Sequence, residues 1–372
     1  ETDMKQKIFI LLLFVSVVST LTKCKNDDPN PDFPSVTVDT VDFDQTLYSM
    51  EYGSFPDPEY NDNEPTNQGV KLGRMLFYEK AMSRDNSISC ASCHKQENAF
   101  TDPNRLSEGV DGLLGKRQAM SVFNTAWHVN EFFWDGRAHL LRDQSLMPIQ
   151  DELEMDETLE NVVMKLKTDQ AYLDQFERAF GDTAINSERI SLALEQFMNS
   201  IISNRSKYDD FLAGNATLSE SEERGRELFF AEYNPAFPAI SGADCAHCHG
   251  GNNFDNRRYM NNGLDEAADQ SDIGREAVTN DPDDRAKFKV TSLRNIELTA
   301  PYMHDGRFET LEEVLDHYDH DIKISPTVDP ALEYSTQTGL MLSAEDMQDI
   351  IAFLKTLTDD KLIADERYSD PF

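Results

Sequence analysis

"SISCASCH", residues 87–94, places two cysteines three apart with a histidine directly after them, in a chain that has only five cysteines. The pattern returns as "CAHCH" at 245–249, so four of the five cysteines fall in two matching triplets. Thiols at that spacing lie on one helical turn and reach the two vinyl groups of a haem, and the next histidine lies under the iron. Cys90, Cys93 and His94 are therefore expected to attach and ligate one c-type haem, and Cys245, Cys248 and His249 a second. A zinc site would gather four ligands at one point, whereas these triplets stand 155 residues apart. A thioredoxin-like pair would need a βαβ setting, and strand-like alternation is scarce.

The surroundings of the two triplets also match. "GRMLF" (73–77) precedes the first and "GRELF" (225–229) the second, while "SVFNTAW" with "FWDGRAHLL" downstream answers "SLRNIELTAPY" with "MHDGRFETL". Asp135-Gly136-Arg137 maps on Asp305-Gly306-Arg307 at an offset of 170. Three landmarks in one order predict two copies of one domain, joined near "LAGNATLSESEERG". Apolar residues at three- and four-residue spacing in "GVKLGRMLFYEKAM", "ENVVMKLKTDQAYLDQFERAF", "ERISLALEQFMNSIIS" and "SAEDMQDIIAFLKTL" predict helices. Ser343 followed by Asp346 reads as a capped helix start. The expected fold is thus mainly α, with two tandem cytochrome c-like haem domains at 68–213 and 214–372.

Residues 1–23 read as a signal peptide, with Lys5 and Lys7 before the apolar run Ile8 to Val18. Cys24 then begins a polar extension to residue 67. This resembles a bacterial lipoprotein signal with Cys24 lipidated, although Lys23 departs from the usual small residue; a plain cleaved signal is the alternative. Either way export is expected, to the periplasmic side of a Gram-negative envelope. The net charge of −35 excludes a general nucleic-acid binder, because phosphates would be repelled.

From about Gly69 to Leu357 the chain resembles bacterial di-haem cytochrome c peroxidases and the related MauG enzymes. The stretches that carry the likeness are "SISCASCH", "FFWDGRAHLLRDQSLMPIQDELEM", "CAHCHGG", "FKVTSLRNIELTAPYMHDGRFETLEEV" and "LDHY". The resemblance implies a peroxide site at the first haem and an electron store at the second, with Trp134 carrying electrons between them. Gln144 and Glu154 match the peroxide-pocket residues, Glu154 as general acid–base. It also implies a small cytochrome c or similar periplasmic donor, and homodimers are usual in the family. Gln118, Thr299 and Pro301 match a calcium site, with Gln118 in place of an asparagine.

Applying the offset of 170 to Pro148 lands on Tyr318. Proline cannot ligate iron, which leaves the first haem open; a tyrosinate can, and would close the second. Peroxidases of the family commonly carry methionine there and MauG tyrosine, and Met303, Met341 and Met347 remain alternative ligands. His304 falls at the position of Trp134, whereas His128, His139, His317 and His320 read as surface or hydrogen-bonding residues and His247 as a filler within its motif. The loop after the first triplet, 95–120, contains no histidine to block the peroxide site. The implied activity is reduction of hydrogen peroxide to water; a MauG-like oxidase acting on a protein or organic molecule is the alternative, and a purely electron-transfer protein a third.

Overall fold

A computed structural model describes residues 41–60, 62–128, 131–237, 240–332 and 337–372. The signal sequence, Cys24 and the extension as far as residue 40 lie outside the described residues. The first part of the chain forms α1 (Asn67–Tyr78), α2 (Cys90–Cys93), α3 (Leu141–Gln150), α4 (Leu159–Leu166), α5 (Gln170–Phe180) and α6 (Ser187–Ser200). Then come α7 (Lys207–Leu212), α8 (Glu220–Phe230), α9 (Glu276–Thr279), α10 (Leu311–His320), α11 (Ala344–Lys355) and α12 (Asp360–Ile363). Among the described residues one two-stranded antiparallel ladder, β1 (Tyr259–Met260) against β2 (Phe288–Lys289), pairs Tyr259 with Lys289.

The long periodic stretch 160–180 is two helices, not one. The Asp169 carboxylate accepts from the Ala171 amide, at 2.8 Å, and caps α5, which stops α4 short. Ser343 behaves as expected: its hydroxyl accepts from Asp346 N (3.1 Å) and the Asp346 carboxylate from Ser343 N (2.8 Å), a reciprocal cap.

Two apolar cores hold the helices. One gathers Leu72, Leu76 and Phe77 of α1 with Ile190 and Phe197 of α6, around the fully buried Phe100. The other gathers Phe229 of α8 with Ile350 and Phe353 of α11, around Phe254. Each rests on a helix crossing that only glycine permits. A Cβ on Gly73 would stand 1.9 Å from Ala193 O, and one on Gly225 would stand 1.8 Å from Asp349 O. The two "GR-x-LF" stretches thus place the same residue at the same kind of backbone contact.

The bounds of α3 and α10 differ by 170 residues at both ends. Ahead of each, an antiparallel bridge encloses an Asp-Gly-Arg turn: Phe132 with Ala138 before α3, and Tyr302 with Phe308 before α10. Gly136 and Gly306 sit at φ of +76° and +63° in these turns, a conformation that costs glycine nothing. The chain end does not stay with the second core. Leu362 and Tyr368 join the first, with Tyr368 Oη donating to Ser200 O at 2.8 Å and Arg74 Nε to Ser369 O at 2.6 Å. Among the described residues, no helix is long and apolar enough to cross a membrane.

Candidate functional site

Both cysteine triplets form a single turn that brings the histidine back under its first cysteine. His94 N donates to Cys90 O at 2.9 Å and His249 N to Cys245 O at 2.8 Å. His94 Nδ1 lies 3.0 Å from Phe100 O, and His249 Nδ1 lies 3.1 Å from both Phe254 O and Thr291 O. A carbonyl only accepts, so Nδ1 carries the proton in each ring and Nε2 keeps its lone pair for a metal. Phe100 and Phe254 both turn their carbonyls inward from left-handed conformations, with φ of 60° and 53°. Burial pushes both imidazoles below the usual histidine value, which keeps them neutral, as iron ligands must be. None of the four cysteines is joined in a disulfide. Beside His249 opens a cavity walled by Leu311, Leu315, Ile350 and Leu354, with Tyr318 and Met303 also facing it. Paired thiols, a neutral imidazole with Nε2 unengaged and an apolar wall are what a covalently attached haem needs.

Gln144 and Pro148 lie four residues apart on α3 and so share a face. Glu154 follows in the turn after the helix, its amide donating to Asp151 O at 3.0 Å and its carbonyl accepting from Val110 N at 2.9 Å. The 95–120 loop comes close enough that a Cβ on Gly109 would meet Leu153 O at 2.2 Å. Burial, helped by the charge of Asp151, pushes the Glu154 carboxyl up to about 7. Burial raises the thiols of Cys90 and Cys93, with the Glu154 charge a lesser contributor to both, so carboxyl and triplet share one electrostatic environment. A carboxyl poised near neutrality can both accept and donate a proton.

Trp134 is joined to the second triplet's surroundings by backbone contacts. Its Nε1 donates to Gln118 O at 2.8 Å, Lys289 N donates to its carbonyl at 2.7 Å, and Gln118 N donates to His304 O at 2.9 Å. His304 is buried and stacks on Phe288 with ring centroids 3.6 Å apart; burial pulls its imidazole down to about 4. Trp134, Gln118, Thr299 and Pro301 all line the cavity beside His249. The structure therefore places Trp134 and the three residues expected to hold calcium around the same cavity. The Gln118 amide nitrogen is already engaged, by Thr101 Oγ1 at 2.9 Å and Asp102 O at 3.2 Å.

Tyr318 projects from α10 into the same cavity, where burial pushes its phenol up to about 12. Met303 lines that cavity too, whereas Met341 is 72% exposed and Met347 packs on the second core. His317 is buried and bonded through Nε2 to Asn262 O at 2.9 Å, His139 and His320 are exposed, and His128 lies 3.4 Å from Asn253 Nδ2. His247 turns outward toward Asp244, its side chain half exposed. Asn262, whose amide meets both Tyr318 and Met303, went unread in the sequence. Nothing in "YMNNG" sets it apart, because its contacts come from segments more than forty residues away in sequence, at Met303, His317 and Tyr318.

The profile described as di-haem cytochrome c peroxidase matches residues 67–217. The methylamine utilization protein MauG of Methylophilus methylotrophus is 31% identical over 79% of this chain and 84% of its own length. Cytochrome c551 peroxidase of Nitrosomonas europaea is 32% identical over 78% and 80%. Among solved structures, a MauG-like protein associated with microbial copper homeostasis superposes with a TM-score of 0.76 at 35% identity, covering 87% of this chain and 99% of that one. The chain thus belongs to the di-haem cytochrome c peroxidase family and, with both attachment triplets in place, is an oxidoreductase carrying two covalently bound c-type haems.

Proposed function

We propose that this enzyme reduces hydrogen peroxide to two waters with two electrons and two protons, taken up at separate places in the chain. The haem, when bound, supplies the redox-active iron at which the O–O bond breaks. Pro148 has no side-chain donor for iron, so it would leave room for peroxide at the first haem. Glu154 takes a proton from one peroxide oxygen and returns it to the departing one, and Gln144 orients the substrate. Trp134 would carry electrons toward the peroxide site, and Tyr318 would be the residue that holds the second haem on the side away from His249. The observation that carries this reading is the pairing of a proline at 148 with a carboxyl raised to about 7 at 154.

The matched bounds of α3 and α10, the paired Asp-Gly-Arg turns and the two glycine crossings support a reading as two tandem haem domains, 68–213 and 214–372. Electrons arrive from a small cytochrome c or similar carrier on the periplasmic side, with the protein anchored through a lipid on Cys24 and paired as a homodimer. Calcium between the domains would rest on Gln118 Oε1 and the carbonyls of Thr299 and Pro301. Among the described residues no cluster of acidic, histidine or cysteine side chains suits a metal ion, so that site would be neutral and weak.

Tyrosine at 318 and the fit to a MauG-like structure favour a second reading, oxidation of a protein or organic molecule by the same centre. Both readings need an open first haem. The ferric protein is expected to show a high-spin signal in electron paramagnetic resonance before any reduction; solely low-spin signals would contradict an open site.

A further inference from the structure

Asn262 stands where two candidate ligands of the second haem meet. Its Nδ2 lies 3.3 Å from Tyr318 Oη and 3.3 Å from Met303 Sδ, so one amide group touches both the phenol and the thioether. The backbone around it is fixed on two sides. His317 Nε2, one residue before Tyr318 on α10, donates to Asn262 O at 2.9 Å. Asn261 pairs in parallel with Val328 and its Nδ2 donates to Ser325 Oγ at 3.0 Å and Thr327 Oγ1 at 2.9 Å. Gly263 follows at φ +68°, where a Cβ would strike Ile322 Cγ2 at 2.6 Å. These contacts fix the backbone from which the Asn262 amide projects.

We propose that Asn262 is a positioning residue for the second haem, donating its Nδ2–H to Tyr318 Oη so that the oxygen, and not the Met303 sulfur, is held as sixth ligand with its electron donation moderated. An iron-bound tyrosine oxygen is anionic and accepts a strong, charge-assisted hydrogen bond, whereas a thioether is a weak acceptor. The amide therefore favours the oxygen over the sulfur. The same bond withdraws electron density from the oxygen, so it raises the reduction potential above that of an unbonded tyrosinate and keeps the second haem reducible by a donor. His317 holds the Asn262 carbonyl, which explains why a buried histidine beside the ligand is itself not available to iron.

This inference rests on Tyr318 being the ligand, and the test separates the two. In the holoprotein, Asn262→Leu removes the donor, and the near-isosteric Asn262→Asp removes it while preserving shape. Both are expected to shift the midpoint potential of the second haem to more negative values in a redox titration, with the high-spin signal of the first haem unaltered. An unchanged midpoint in both variants would overturn the role of Asn262. Tyr318→Phe should change the low-spin resonance of the second haem and Met303→Leu should not. The reverse pattern would remove Tyr318 as ligand, and Asn262's role with it.

Discussion

Burial, helped by the charge of Asp151 and opposed by that of Arg137, moves the Glu154 carboxyl into the range where catalysis runs. The sign of the consequence is fixed. A raised value means that the ionised, proton-accepting form is lost as pH falls through about 7, so kcat/KM for peroxide should decline below that point. Glu154→Gln should lower turnover by roughly 10²–10⁴-fold and flatten the profile, measured as initial rates from pH 5 to 9. A variant with the wild-type profile would remove Glu154 from the proton path. At this scale the two triplets were legible from their own chemistry, whereas Glu154 was reached only through the family resemblance and Pro148 through the offset of 170. The sequence was silent on Asn262 and on the His304–Phe288 stack, because those depend on which loops the fold brings together.

Between α1 and α6, and again between α8 and α11, the backbones touch at a glycine. Gly225→Val would drive methyl groups into the Asp349 carbonyl, and overpacking of this kind costs about 1–3 kcal/mol or more. A lower melting temperature for the holoprotein checks it; unchanged melting would mean that the crossing can open without cost. Helix existence was readable from periodicity, since a buried stripe must recur every three to four residues whatever its partner. The break before Asp169 was not, because apolar spacing runs on through a side-chain cap. The antiparallel bridges around the two Asp-Gly-Arg turns were visible only as a repeated tripeptide, since pairing across a turn leaves no periodic trace.

For the molecule as a whole, a net charge of −35 sets what kind of donor it meets. A basic cytochrome would be steered to this surface, and that attraction is screened within about a Debye length. KM for a basic cytochrome c should therefore rise with ionic strength, while peroxide saturation changes little; a salt-independent KM would point to an apolar docking surface. The family was legible over most of the chain, because haem attachment imposes a fixed local pattern. The return of Leu362 and Tyr368 to the first core was not, as nothing in a terminal segment states which core it will join. The central claim is a first haem that is open to peroxide without a reductive switch, resting on Pro148 and on a 95–120 loop free of histidine. Steady-state peroxide consumption by the as-isolated ferric protein, with reduced cytochromes c and no pre-reduction, tests it most directly. Immediate turnover is the predicted result; turnover that begins only after the second haem is reduced would contradict it.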